Sequence, residues 1–164
     1  SHKDSEGQFI VCDATFIDFI EIADIIRVDD SKKMIELIHV KNGIGRDLRV
    51  LSSQILNAAR LLRNIEKTKL SQYFLDISQK YYDSKDITVM QNSQIKSITI
   101  EQFLNYFEEY SLDFIMAFSS RKKESVKKLL IKSKSLVGKI AFLYNIKELH
   151  SLGYKLNVEL IEEI

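Results

Sequence analysis

The first part of the chain carries short runs of apolar and polar residues that predict β-strands. Gln8–Asp13 fits a short strand, and Phe19–Val28 is a longer run rich in β-branched residues. The polar stretch Asp29–Lys33 predicts a turn, and Met34–Lys41 predicts the next strand. The two longer strands are therefore expected to form a hairpin.

After the glycine-containing loop that follows this hairpin, the apolar residues no longer alternate with polar ones but recur at helical spacing. Ser52 or Ser53 is a candidate N-cap residue. The apolar positions that follow it at helical spacing are Ile55, Leu56, Ala59, Leu62 and Ile65. A second helix is predicted at about Ser71–Tyr82.

The middle of the sequence is more polar and less periodic. Asp83–Ser97 is expected to be a connection between two halves of one fold. Thr99 and Gln102 have the spacing of a capping box, which predicts a helix up to about Tyr110. The apolar run Leu112–Phe118 is a candidate strand.

The last part of the sequence predicts one more helix and one more strand. The helix covers Ser135–Leu152, and Gly153 stands where a C-terminal cap is expected. The residues expected to face inward are Leu136, Ile140, Leu143, Ile146 and Leu149. Apolar and polar residues alternate from Tyr154 to Leu160, which is typical of a half-buried strand.

This order of elements predicts an α/β (α+β) fold with a central mixed β-sheet flanked by helices. The length of 164 residues fits one domain, 1–164, with a weak subdivision near residues 83–97. The chain begins with Ser1, His2 and Lys3 and no methionine. We therefore expect a domain excised from a longer chain, whose other regions would be partners.

Composition narrows the class of protein. Hydrophobic residues make up 45% of the chain, yet charges interrupt every apolar run before it could span a membrane. We expect a cytoplasmic protein that does not enter a membrane, and Cys12, as the single cysteine, excludes an internal disulfide. Since the net charge is +1, nucleic-acid binding would depend on a local basic patch.

One carboxylate interrupts the apolar pattern of the predicted hairpin. Strand alternation puts Asp24 on one face among aliphatic residues, where an unpaired carboxylate is costly to bury. The same rule puts His39 and Lys41 on one face of the next strand. The hairpin can thus gather these three residues near one end of the sheet. The alternative is a structural role, as a buried ion pair or as side chains that reach solvent.

This layout resembles the restriction-endonuclease-like nucleases of the PD-(D/E)XK superfamily. The matching pieces are Asp24, the triplet His39-Val40-Lys41 and Gln54 in the following helix. The resemblance implies that acids hold a divalent cation, Mg²⁺ or Mn²⁺, and that the lysine orients the attacking water. It implies catalytic roles for Asp24, Lys41, His39 and Gln54, and metal ligands among Asp24, Glu21, Glu36 and His39.

The sequence departs from that superfamily pattern at one position. His39 stands where the superfamily carries Asp or Glu, and imidazole is a softer ligand than Mg²⁺ prefers. The site could then require manganese, use Glu21 or Glu36 instead, or be inactive. Gln54 equally fits a residue that faces solvent.

Three short blocks also resemble an uncharacterised, sporadically distributed bacterial family. The blocks are Ile20–Ile26, Leu37–Lys41 and Val50–Gln54, and the tail Lys139–Leu156 is similar to that family's closing helix and strand. The family is associated with mobile or defence gene neighbourhoods. The resemblance implies such a setting and supplies no reaction.

Basic residues cluster after the hairpin and again between residues 121 and 139, where Glu124 is the single acid. Such clusters can contact phosphates without sequence preference. The candidate nucleic-acid contacts are Arg46, Arg49, Lys122, Lys123, Lys127 and Lys128. The alternative is a solvated helix face.

We therefore expect a divergent metal-dependent nuclease-like domain that acts on DNA or RNA. The alternative is a catalytically inactive module that binds nucleic acid or protein. The sequence has no dinucleotide-binding glycine pattern, no phosphate loop and no Gly-x-Ser-x-Gly motif, which argues against nucleotide cofactors and serine nucleophiles. The oligomeric state stays open.

Overall fold

The structure is a computed structural model that describes residues 7–42, 47–120, 125, 128, 131 and 134–162. Its strands are β1 (Gln8–Val11), β2 (Phe16–Ile17), β3 (Ile20–Glu21), β4 (Ile25–Asp29), β5 (Met34–Asn42), β6 (Ile87–Gln91), β7 (Gln94–Ile98), β8 (Ser111–Ser120) and β9 (Lys155–Glu162). Its helices are α1 (Asp47–Asn64), α2 (Lys67–Tyr82), α3 (Ile100–Glu109) and α4 (Leu136–Ser151). The predicted α/β class with a central mixed sheet is confirmed.

Seven strands form the central sheet, in the order β7-β6-β1-β4-β5-β8-β9. Strands β1, β4 and β5 form an antiparallel meander. Strand β8 pairs with β5 in parallel, and β9 pairs with β8 in parallel. Parallel neighbours need a crossover connection, and the chain supplies one through the helices that separate β5 from β8 and β8 from β9.

Alternate residues of the central strands form the core together with the helices. Leu37 of β5 and Phe114 of β8 are register partners, and both are fully buried. Leu51 of α1, Phe74 of α2 and Phe142 of α4 belong to the same buried apolar cluster. Odd-numbered residues of β5 therefore point toward the core, and even-numbered residues point to the opposite face of the sheet.

The predicted strand Phe19–Val28 is wrong in extent, because it is split into two parts. Strand β3 pairs with β2 in a small hairpin, and the chain joins the central sheet only at β4. The hairpin turns at Asp18 and Phe19, whose φ angles are 49° and 65°. Strand periodicity does not reveal this turn because neither residue is glycine.

The prediction of a connection at Asp83–Ser97 is also wrong. This segment contains β6 and β7, a hairpin that extends the central sheet beyond β1. The turn residues Asn92 and Ser93 have φ angles of 49° and 60°. Most of β7 is exposed, so an edge strand explains the polar sequence that resembled a loop.

Two helices begin earlier than predicted. Helix α1 begins at Asp47, so Ser52 lies inside it and not at its N-cap. There the buried Ser52 hydroxyl accepts a hydrogen bond of 2.8 Å from Asn145 Nδ2 of α4. Helix α2 begins at Lys67 and ends at Tyr82. The sequence around Ser52 therefore looks like that of an N-cap, although this serine lies inside α1 and bonds to another helix.

The caps of the later helices are confirmed. The predicted inward face of α4 is confirmed for Leu149, which is buried, and for Ile146, which packs against the core, but it is wrong for the other three residues. The capping box of Thr99 and Gln102 is present, and Gly153 has a φ of 89° after α4. In α4, the residues Leu136, Ile140 and Leu143 are 69%, 58% and 66% exposed. The buried residues of α4 are Gly138, Phe142, Asn145 and Leu149. This helix is apolar on more than one side, so periodicity could not select the buried side.

Candidate metal centre

Three carboxylates meet at the end of the β1–β4–β5 meander. They are Asp13 in the turn after β1, Glu21 at the end of β3 and Asp24 just before β4. One oxygen of each lies within 4.8 Å of the corresponding oxygen of the other two. Asp13 is exposed, and the other two residues are half-buried. We call these residues the acidic cluster.

Asp24 stands where the hydrogen-bond ladder between β4 and β5 ends. Its backbone N–H still donates to the carbonyl of Ile38 at 2.9 Å. The N–H of Val40 donates instead to Asp24 Oδ2 at 2.6 Å. The side chain thus replaces a strand partner for a backbone donor that would otherwise lack one. This bond fixes the carboxylate beside β5.

Glu21 and the turn after β1 fix each other. Glu21 Oε1 accepts a hydrogen bond of 3.0 Å from the N–H of Ala14, whose φ is 53°. From α2, Lys80 Nζ donates to the carbonyls of Asp13 and Ala14, and the Tyr81 hydroxyl donates to the carbonyl of Asp13. Among the described residues, the second oxygen of Glu21 and that of Asp24 accept no hydrogen bond. Each carboxylate therefore keeps one oxygen for a ligand.

Burial dominates the electrostatics of the acidic cluster. Burial raises the pKa of Glu21, and the neighbouring carboxylates of Asp24 and Asp13 raise it further. Burial also raises the pKa of Asp24, against the lowering effects of the Val40 N–H and the Lys41 ammonium. The described residues therefore compensate the negative charge only in part, and a cation between the oxygens would favour the ionised forms.

The donor set fits a hard divalent cation. Mg²⁺, Mn²⁺ and Ca²⁺ take oxygen ligands, and oxygens on opposite sides of such an ion lie about 4 to 5 Å apart. The ligand oxygens of the acidic cluster lie within 4.8 Å of one another, which agrees with that separation. Three carboxylates would complete part of a coordination sphere and leave positions for water or a substrate oxygen.

Lys41 lies at the same end of the sheet as the acidic cluster. It is half-buried, and its charge lowers the pKa values of both Glu21 and Asp24. Among the described residues it forms no ion pair, so its charge acts on the acids without a direct contact. The structure thus brings together three of the residues selected from the sequence, namely Asp24, Glu21 and Lys41.

His39 is not part of the acidic cluster. It is 1% exposed, its ring hydrogen-bonds to the backbone of Ile22, and it stacks on Phe114 with a centroid distance of 6.5 Å. Burial lowers the pKa of His39 to about 4, so the ring is neutral at pH 7. Its Nε2 atom has no hydrogen-bond partner among the described residues. The structure gives His39 the surroundings of a core residue, although it shares the strand face of Lys41.

Glu36 also lies apart from the acidic cluster, on the opposite face of the sheet. It is buried, is the cross-strand partner of Arg27, and forms an ion pair with it. The hydrogen bond from Arg27 to Glu36 raises the pKa of the guanidinium. Glu36 is therefore engaged in a structural pair and is not a neighbour of Asp24.

The other predicted residues lie farther along the chain or outside the description. Gln54 is half-buried inside α1, and because α1 begins at Asp47 it does not lie in the first turn. Arg49 and Lys128 are exposed. The predicted phosphate contacts outside the described residues are Arg46, Lys122, Lys123 and Lys127.

Sequence reasoning missed Asp13. Asp13 reaches the acidic cluster because β1 pairs with β4. In this pairing Val11 lies opposite Ile25, and the Cys12 N–H donates to the Asp24 carbonyl. That register brings Asp13 next to the chain around Asp24. It could not be read from the sequence, because nothing there pairs the first predicted strand with the hairpin.

Comparison with known proteins adds no relative. No protein-family model, no curated protein and no solved structure matches this chain. None of the described helices combines the length and the apolar character that crossing a membrane requires.

Proposed function

We propose that the chain is a metal-dependent, nuclease-like phosphodiester hydrolase that acts on DNA or RNA. The observation that carries the proposal is the convergence of Asp13, Glu21 and Asp24 within 4.8 Å at the end of the sheet where Lys41 lies near the end of β5. An acid before one strand and a lysine on the adjacent strand also fit the restriction-endonuclease-like layout. Asp13 and Glu21 would replace the carboxylate that this layout expects at His39.

The residues of the acidic cluster would hold Mg²⁺ or Mn²⁺, which supplies Lewis acidity toward a phosphodiester oxygen. Hydrolysis adds the oxygen of a water to phosphorus, breaks one P–O ester bond and delivers a proton to the departing oxygen. Lys41 would donate hydrogen bonds to the attacking water or to a phosphate oxygen, since its ammonium has no contact partner among the described residues. The hydrogen bonds from Val40 and Ala14 would keep Asp24 and Glu21 oriented.

The test measures metal binding and cleavage on the same preparations. Calorimetry with Mn²⁺ should show binding by the wild type and its loss in Asp24→Asn. Cleavage of plasmid and oligonucleotides in Mg²⁺ or Mn²⁺ should fall about 100-fold or more in Lys41→Ala. Lys85→Ala and Asp86→Asn are matched controls, because both residues are exposed in the bend between α2 and β6. Equal cleavage by the wild type, by both site variants and in chelator would remove the proposal.

A second candidate function, a protein-binding module, is favoured by one separate observation. Leu136, Ile140 and Leu143 form an exposed apolar stripe on α4, opposite the face that packs on the core. Exposed apolar patches of this kind mark interaction surfaces. Light scattering of the wild type and of Leu143→Lys over a range of concentrations tests self-association. A partner-binding role without catalysis predicts no metal-dependent cleavage by either protein.

A further inference from the structure

The β2–β3 hairpin, Phe16–Glu21, exposes two aromatic rings beside the acidic cluster. Phe19 at its tip is 100% exposed, and Phe16 is 55% exposed. At full exposure the whole apolar surface of the Phe19 ring is in contact with water, and contact with a ligand would remove part of that surface from water. These rings take no part in the core.

The hairpin has two different faces. Ile17 is buried and Ile20 packs against the core, so one face anchors the hairpin to the protein. Phe16 and Glu21 are cross-strand partners and share the other face. Side chains directly opposite each other in an antiparallel pair have Cβ atoms about 5 Å apart. The exposed Phe16 ring therefore adjoins a carboxylate of the acidic cluster.

The tip of the hairpin is held in a conformation that costs energy. Asp18 and Phe19 both have positive φ, which side chains with a Cβ atom rarely adopt. Lys69 Nζ of α2 bonds to Asp18 Oδ2 at 2.9 Å and ties the tip to the helix. The fold thus fixes the backbone from which the Phe19 ring extends into solvent, whereas an asparagine-glycine turn would be easier to form.

We propose that Phe16 and Phe19 are a stacking surface for unpaired nucleobases, so that the substrate class is single-stranded nucleic acid or a single-stranded segment. The assignment of a base rests on the proposed function, because the ring adjoins the residues proposed to act on a phosphodiester. A base can stack on an exposed ring only when it is not already stacked in a duplex. The rings would hold the strand while the acidic cluster acts on the adjacent phosphate.

The experiment measures binding without cleavage. Fluorescence anisotropy in chelator compares single-stranded DNA, single-stranded RNA and double-stranded DNA of one sequence. Phe16→Ala and Phe19→Ala should each weaken single-strand binding about fivefold or more and leave duplex binding nearly unchanged. Phe16→Tyr and Phe19→Tyr should retain binding, because a tyrosine ring also stacks. Ile95→Ala is the matched control, since Ile95 is an exposed apolar residue on the edge strand β7, which β6 separates from β1.

Two outcomes would overturn the stacking surface. One is wild-type affinity of both alanine variants for single strands, with melting temperatures equal to that of the wild type. The other is capture of the wild type by phosphatidylserine vesicles that Phe19→Ala loses, without any change in oligonucleotide binding. The proposed function fails separately: if single-strand binding depends on the rings but no preparation cleaves in Mg²⁺ or Mn²⁺, the stacking surface stands and the hydrolase does not.

Discussion

Two groups of charged side chains lie on the same β1–β4–β5 meander and differ in their charge balance. On one face of the sheet, Arg27 and buried Glu36 form a cross-strand ion pair. At the end of the meander, the acidic cluster has three carboxylates, and Lys41 is the one cation among the described residues that lowers the pKa values of Glu21 and Asp24. The ion pair satisfies the first group, whereas the second keeps more negative than positive charge among the residues that the structure describes, and a cation could neutralise it.

The difference explains why the two groups support different conclusions. A buried ion pair whose two charges are bonded to each other has a structural role, and its carboxylate is not open to a ligand. Half-buried carboxylates that repel each other cost stability, and a cluster of this kind is a candidate for a functional site because burial and like charges shift its pKa values. This contrast can be tested with variants that leave one charge of the ion pair without its partner, or that remove one carboxylate from the acidic cluster.

The largest effect is expected when the Arg27–Glu36 pair is broken. Arg27→Met leaves the buried carboxylate of Glu36 without its partner, and we expect the free energy of unfolding to fall by about 3 to 5 kcal/mol. Urea denaturation measures this loss. The double variant Arg27→Met/Glu36→Leu should recover most of it, since no unpaired charge remains. An Arg27→Met protein as stable as the wild type would mean that the pair is not structural.

A somewhat smaller effect is expected from the buried histidine between the two groups. Burial lowers the pKa of His39 to about 4 in the folded chain, against an ordinary value of about 6.5 in the unfolded chain. As the pH falls below 6.5, the unfolded chain takes up the proton before the folded chain does. The contribution of neutral His39 to the free energy of unfolding is therefore fully present above that pH. It is lost as the pH falls toward 4, a change of about 3 kcal/mol.

Comparison with His39→Leu separates the contribution of His39 to the free energy of unfolding from the titration of the carboxylates. The difference in unfolding free energy between the wild type and His39→Leu, measured by urea denaturation at several pH values, should shift against the wild type between pH 6.5 and 4. A constant difference over that range would show that His39 titrates normally and is accessible. That result would return His39 to the set of candidate ligands.

The smallest effect is expected at the acidic cluster itself. Glu21→Gln removes one of the mutually repelling charges, and the Gln side-chain oxygen can still accept the hydrogen bond from Ala14. We expect stability without metal to rise on the order of 1 kcal/mol. Mn²⁺ should raise the melting temperature of the wild type but not of Glu21→Gln, because only a chain that binds the ion is stabilised by it. Equal shifts in both proteins would place the ion elsewhere.

Part of the candidate site could be predicted from the sequence. A carboxylate in an apolar pattern singled out Asp24, and strand alternation put Lys41 on the core side of β5. The same alternation linked His39 with Lys41, but it could not tell that His39 is buried against Phe114 whereas Lys41 is only half-buried near the end of β5. Glu36 was a candidate because of its type, and its face and its partner Arg27 exclude it from the acidic cluster.

The sequence by itself determined the local features of this protein. The capping box at Thr99, the left-handed Gly153 and the strands β5 and β8 follow from short-range rules of spacing and backbone sterics. Only the tertiary structure decided that Asp13 joins Asp24, and which face of α4 is buried. The physical reason is that alternation fixes the side to which a residue points within its own strand. Distances between segments far apart in sequence depend on pairing register and on competing packing partners, and no local pattern encodes these.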